Sequence, residues 1–141
     1  MSGWLLDTNV VSELRKARPN HRVKAWSDVQ VSDRLFLSEV TMAEIRFGIE
    51  RKADARQRAA LEIWLDQELR TWFEGRVLPV DEDVILEWRR LVARGRERNI
   101  TFSQPDLFIA ATARVHGLTL CTRNERDFCH TDVRLFNPWS G

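Results

Sequence analysis

Gly3-Trp4-Leu5-Leu6-Asp7-Thr8-Asn9 carries the clearest signature of the fold. Its apolar part is long enough for one short buried strand and ends abruptly in three polar residues. Val10, Val11 and Leu14 follow at helical spacing, so the chain turns from strand to helix at Asp7. In an open α/β sheet, ligands bind outside the carboxyl ends of the strands, which would put Asp7 at the mouth of a site. An aspartate here also has an ordinary explanation, as the N-cap of the helix that follows. The site reading gains on the capping one only if further carboxylates arrive at similar junctions.

The rest of the chain repeats the alternation. Residues 10–16 read as a helix ended near Pro19-Asn20, and 21–29 as a second, with Val23, Trp26 and Val29 three apart. Leu35-Phe36-Leu37-Ser38 is a second strand. A helix over 40–51 places Met42, Ile45 and Ile49 on one face, with Gly48 allowing close packing. Residues 50–58 are a turn or a solvated helix start. From Ala59, the residues Leu61, Trp64, Leu65, Leu69, Trp72 and Phe73 recur at helical spacing, closed by Gly75. Residues 77–80 form a third strand. Asp81 then caps a helix whose stripe is Val84, Ile85, Trp88, Leu91 and Val92. The basic run 89–98 is a solvated face by default, although it leads directly into residues 101–106. Residues 107–115 are apolar on nearly every side, the mark of a buried helix. Pro105 suits its first position and Asp106 its first turn, near the positive end of the dipole. A fourth strand over 118–121 ends in polar residues 122–127, and 133–136 is a last strand. Strands alternating with helices give an α/β fold, with a parallel sheet and crossover helices.

At 141 residues the chain suits one domain over 1–141, large enough to bury a core without disulfides. Its 43% hydrophobic and 30% charged residues are ordinary for a soluble globular protein. No apolar run approaches the ~20 residues of a membrane span, and no basic-then-apolar leader is visible. Cys121 and Cys129 lack zinc-type spacing, so a reducing cytoplasm is the expected compartment. The net charge of +1 says little about partners. All but three of the 22 basic residues are arginine, which suits phosphate recognition and base stacking. A GC-rich genome produces the same bias, so it is supporting evidence only.

Four carboxylates fall at junctions: Asp7 and Asp127 just past strands, Glu44 and Asp106 in first turns of helices. Each has a local explanation. Thr41-Met42-Ala43-Glu44 matches a capping box, Asp106 complements the helix dipole, and Asp127 suits a turn. Asp106, however, abuts a deeply buried helix, where a carboxylate needs a compensating partner. Carboxylates gathered at one end of a sheet repel one another unless a cation neutralises them. Mg²⁺ is typically held by one or two carboxylates plus waters and substrate phosphates, and such a site activates water against a phosphodiester. Other chemistries fare worse. His21, His116 and His130 lack the spacing of a metal site or an acid–base pair, and Cys121 reads as a buried strand residue. There is no GxSxG elbow, Walker loop or GxGxxG. The tryptophans occupy mostly core-facing helical positions and read as packing rather than base stacking.

The segments Leu5-Leu6-Asp7-Thr8-Asn9-Val10-Val11-Ser12-Glu13, Ala43-Glu44-Ile45-Arg46-Phe47-Gly48, Asp106-Leu107-Phe108-Ile109-Ala110-Ala111-Thr112-Ala113, and Thr122-Arg123-Asn124 with Asp127-Phe128 resemble, in order, the motifs of PIN-domain nucleases. The ending Phe136-Asn137-Pro138-Trp139 and the long middle helices look closest to the FitB-like branch of VapC-type toxins. The resemblance implies a three-layer α/β/α sandwich around a mostly parallel sheet. It implies a Mg²⁺- or Mn²⁺-dependent endoribonuclease, the toxin of a type II toxin–antitoxin system. It further implies a homodimer neutralised by a VapB/FitA-like antitoxin, through which operator DNA is bound. Carried over by position, Asp7 and Asp106 are metal ligands, and Glu44 is a ligand or orients the attacking water. Some relatives place the fourth acid where this chain has Asn124, others at the position of Asp127. Asp127 is assigned here, with Asn124 and Thr122 as polar support. Thr8 and Asn9 orient Asp7, and Arg46 and the basic run 89–98 are candidates for RNA phosphate contact. Two rivals stand beside this reading: a catalytically inactive PIN-like binding subunit of a regulatory complex, and a Mg²⁺ phosphohydrolase acting on small molecules.

Overall fold

Five short strands form one sheet in a computed structural model that describes residues 3–141. They are β1 (Trp4–Leu6), β2 (Leu35–Ser38), β3 (Val77–Leu78), β4 (Thr119–Cys121) and β5 (Leu135–Phe136). The order is β3-β2-β1-β4-β5 and every pairing is parallel, with Trp4 opposite both Leu35 and Thr119. Residues 1 and 2 of the expected 1–141 domain lie outside the described residues.

Side chains alternate across a strand with a period of two, and both faces of this sheet are covered. Leu6, Leu35, Leu37, Val77, Cys121 and Phe136 join one apolar cluster. Leu5, Phe36, Leu78, Leu120 and Leu135 join the other. The first cluster packs against α1 (Thr8–Arg15), α2 (His21–Val29), α3 (Glu39–Glu50) and α4 (Ala55–Ile63). A π-helical stretch (Trp64–Leu69) carries α4 on into α5 (Arg70–Trp72) on the same side. The second cluster packs against α6 (Glu82–Glu97), α7 (Gln104–His116) and α8 (Glu125–Phe128). The expected three-layer α/β/α sandwich is therefore present, and its sheet is wholly parallel.

Several local expectations change. Helix α3 begins at Glu39 with Ser38 as its cap, the Ser38 hydroxyl accepting from the Val40 N–H at 3.0 Å. Thr41 is thus a buried helical residue and Glu44 lies in the second turn, so the capping box does not form. Nothing approaches the place of a Cβ at Gly48, which is exposed and not a close-packing position. The middle helix starts at Ala55, four residues earlier than its apolar periodicity, because Asp54 caps it through the Arg56 N–H at 2.9 Å. On α6 the stripe narrows: Ile85 is exposed, and the acid Glu87 is buried in its neighbourhood instead. Val29 likewise is exposed rather than packed. The polar segment after β4 contains the short helix α8, which carries Asp127.

Gly95 explains how Asp106 reaches its place. A Cβ there would lie 2.9 Å from the Ile100 carbonyl oxygen and 2.6 Å from a ring carbon of Phe102. Only a glycine lets the chain double back this closely against α6 before α7 begins.

Candidate active site

β1 and β4 are neighbours, and the crossovers run in opposite directions on either side of them. Their carboxyl ends are therefore the crevice where an open α/β sheet binds ligands. β1 delivers Asp7 to it and β4 delivers Thr122. The Thr122 hydroxyl donates to Asp7 Oδ2 at 2.8 Å, the Thr8 N–H to Asp7 Oδ1 at 2.8 Å, and Asn9 Nδ2 to Asp7 Oδ2 at 3.3 Å. Thr122 Oγ1 also accepts from Asn9 Nδ2 at 3.4 Å and from the Asn124 N–H at 3.0 Å. One donated and two accepted bonds fill the capacity of a hydroxyl, so its orientation is fixed. Asn9 Oδ1 accepts the Arg123 N–H at 3.2 Å, which stitches the two junctions a second time.

Asp7 is only 5% exposed. Burial raises its pKa, against the hydrogen bonds from Thr122, Thr8 and Asn9, and the charge of Asp127 adds to the rise. It is also the N-cap of α1, so capping and site formation coexist in one residue. Glu44 comes from α3, where its Oε1 accepts from the Thr8 hydroxyl at 3.4 Å, and burial and the Asp7 charge raise its pKa. Asp106 comes from the first turn of α7. Burial, then the charges of Asp7, Asp127 and Glu44, push its carboxyl up to about 6.

Asp7, Glu44 and Asp106 line one open cavity of about 470 Å³, joined by Thr8, Asn9 and Asn124. Thr122 stands behind Asp7, fully buried. Asp127 is not part of that lining, but its charge reaches both Asp7 and Asp106 from an exposed position on α8. Arg46 lies elsewhere, lining a separate cavity with Glu50, Glu62, Asp66 and Arg70. The basic run is partly committed to structure, with Arg94 paired to Glu87 at 3.3 Å and Arg98 donating to the His130 carbonyl at 3.3 Å. Sequence reading missed Arg123 and Trp139, which also line the acidic cavity. Arg123 was detectable as the residue beside Thr122, whereas Trp139 follows a proline in a terminal turn with no periodicity to mark it.

The carboxylates of this cavity are hard oxygen donors that repel one another, and a divalent cation suits such a set. Among the described residues no three His, Cys, Asp or Glu side chains converge into a ready-made cage. Mg²⁺ keeps several waters and takes only one or two carboxylates. A stability prediction follows from Asp106. Its raised pKa means that the folded protein retains a proton that the unfolded chain releases at lower pH. The stabilisation is complete below the unfolded-state pKa and is lost as pH rises through about 6. At pH 7.5 without metal, Asp106→Asn should therefore stabilise the protein, by about 1 kcal/mol after allowing for solvent screening at this half-exposed site. A melt in EDTA should show the rise, and the difference should shrink at pH 4.

The chain matches the family model for the PIN domain over residues 4–134. It is 38% identical over 135 residues to the toxin FitB of Neisseria gonorrhoeae, covering 96% of this chain and 97% of that protein. To a VapC ribonuclease of Sinorhizobium fredii it is 38% identical, covering 96% of each. Among solved structures, FitAcB from Neisseria gonorrhoeae superposes with a TM-score of 0.91 at 38% identity, covering 96% of this chain and 98% of that one. FitAB bound to a DNA fragment superposes with a TM-score of 0.89 at 36% identity, covering 96% and 95%. By its motifs, its sheet order and these likenesses, the chain belongs to the PIN-domain family, in the branch that holds FitB and the VapC proteins.

Proposed function

We propose that this chain is a divalent-metal-dependent endoribonuclease and the toxin of a type II toxin–antitoxin pair, acting as one domain over 1–141. The observation that carries the reading is the meeting of Asp7, Glu44 and Asp106 on one cavity at the sheet's switch point. The relatives are a toxin and a ribonuclease by name, which supports the same activity here.

In this reading Asp7 and Asp106 hold Mg²⁺ or Mn²⁺. The chemistry such an ion supplies is neutralisation of charge at the scissile phosphate and activation of water. Thr122, Thr8 and Asn9 keep the Asp7 oxygens fixed through their hydrogen bonds. Glu44, held above the ordinary carboxylate range, orients the attacking water and takes its proton. Asp127 adds negative charge beside the site, with Asn124 as polar support. Water oxygen joins phosphorus, the P–O3′ bond breaks, and the leaving oxygen takes a proton, giving a 3′-hydroxyl and a 5′-phosphate. The substrate is single-stranded or looped RNA, whose bases are accessible where an A-form helix hides them. Arg46, on its separate cavity, would meet RNA only away from the scissile bond.

The superposable FitAB structure is bound to a DNA fragment. In this reading the chain forms a homodimer held by an antitoxin that itself binds operator DNA. No helix among the described residues is long and apolar enough to cross a membrane, which agrees with a cytoplasmic protein.

Incubating purified, antitoxin-free protein with mixed RNA and Mg²⁺ tests the reading. Wild type is expected to degrade the RNA and Asp106→Asn to be slower by roughly 10³-fold, the scale of several kcal/mol at a metal site. RNA left intact by wild type would overturn it, and equal cleavage by the variant would show that the activity comes from elsewhere.

A further inference from the structure

The acidic cavity has a second side. Arg123 and Trp139 line it together with Asp7, Glu44 and Asp106, and the Arg123 guanidinium carbon lies 5.2 Å from the Trp139 ring centroid. Both residues are anchored. The Arg123 N–H donates to Asn9 Oδ1 at 3.2 Å, and Asn9 in turn donates to Asp7. The Trp139 N–H donates to Asn137 Oδ1 at 2.9 Å, holding the terminal turn against the core.

Among the described residues Arg123 is the cation of this cavity that no carboxylate pairs directly, although its charge also reaches Glu13. Lys16, which also lines the cavity, is neutralised by Glu13 at 2.9 Å. The Arg123 side chain is exposed and forms no ion pair among the described residues. Trp139 is only partly buried, with one portion packed on the core and another on the cavity. A guanidinium lying over an indole presents a cationic aromatic surface, on which unpaired bases stack and beside which a phosphate is attracted. A cavity of about 470 Å³ falls within the ~300–1,000 Å³ of ordinary small-ligand sites.

We propose that the Arg123–Trp139 pair is the substrate-positioning platform of this site, stacking the base of a single-stranded nucleotide next to the scissile phosphate. The proposal rests on the ribonuclease reading and gives it a binding determinant. It also revises the sequence-level view of the tryptophans: five serve packing, while Trp139 serves packing and substrate together. Specificity follows from the chemistry. Stacking tolerates any base, so the platform selects unpaired RNA over duplex rather than one sequence.

The test measures binding of a fluorescein-labelled ten-nucleotide single-stranded RNA by anisotropy in the Asp106→Asn background, where cleavage is silenced. Trp139→Ala and Arg123→Ala should each weaken binding by roughly 10-fold, the scale of one base–aromatic stack. Trp139→Phe should stay within about 3-fold, and Arg123→Lys should lose more than its unchanged charge predicts. In the otherwise wild-type enzyme, Arg123→Ala should raise KM with little change in kcat. Arg123 is exposed, so this variant keeps the test open if Trp139→Ala fails to fold. Unchanged affinity and unchanged KM in folded variants would overturn the platform while leaving the nuclease reading intact. RNA neither bound nor cut by the parent protein would instead remove the nuclease reading, and the platform with it.

Discussion

Asp7→Asn is expected to reduce RNA cleavage by roughly 10³-fold or more while the protein stays folded. The variant removes the charge from the carboxylate at the end of β1 and keeps its shape. The scale is the several kcal/mol that metal-assisted charge stabilisation contributes to a transition state. Folding should survive because the native carboxylate is no stabilising asset without metal. Its pKa is raised by burial, so at neutral pH ionisation costs the folded state. The amide keeps an acceptor for the Thr8 N–H, and the Thr122 hydroxyl accepts from the new amide by giving up the long 3.4 Å bond from Asn9. Cleavage assays beside thermal melts check both halves. Loss of folding together with loss of activity would return Asp7 to the role of a cap alone.

The second large effect is on stability. Glu87 on α6 is 8% exposed, and its carboxylate meets Arg114 of α7 at 2.7 Å, Arg94 at 3.3 Å and Arg90 at 3.5 Å. Arg114 also donates to the Asp132 carbonyl at 2.7 Å, tying α7 to the loop before β5. Burial works to raise the Glu87 pKa, but the bonds and charges of Arg114 and Arg94 outweigh it and hold the carboxyl below its ordinary range. Glu87→Ala leaves those guanidinium groups without their anion. Removing one partner of a buried ion pair costs ~3–5 kcal/mol. Because the arginines are partly solvated, about 2–3 kcal/mol is expected here, a fall in melting temperature of roughly 10 °C. A lowered carboxyl pKa stabilises above the unfolded-state value and is lost as pH falls through the folded one. The gap between wild type and Glu87→Ala should therefore narrow in acid, as pH falls below the ordinary glutamate range and through the lowered folded-state value. A gap that persists in acid would mean that packing, rather than charge, holds α6 to α7.

The sequence made the alternation of strands and helices readable because both layers bury one face of every element. Leu35–Ser38 and His21–Val29 fall where their patterns put them. What escaped reading depends on contacts between distant segments. The apparent capping box at Thr41 lost to Ser38, whose cap lies at the strand end, because β2 stops there and the helix starts at once. Nothing in residues 64–69 announces a π-helical stretch, since an extra residue per turn preserves the same apolar set. Glu87 sits on a face that looks polar in sequence, and only the approach of α7 with Arg114 makes it a buried anion. The site divides in the same way. Asp7 and Asp106 are marked by their junctions, whereas the Thr122–Asp7 bond spans 115 positions of sequence and exists only once β1 and β4 pair. Arg123 and Trp139 become neighbours of the acids by that same pairing and by the turn after β5.

In the proposed reaction these acids cleave RNA through a divalent cation. Its most direct measurement is an end-labelled single-stranded RNA incubated with the wild-type protein in EDTA, then with Mg²⁺ restored, with the product termini identified. The expected result is intact RNA in EDTA, cleavage on return of Mg²⁺, and 5′-phosphate with 3′-hydroxyl ends. Cleavage that proceeds in EDTA, or leaves 2′,3′-cyclic phosphate ends, would contradict it.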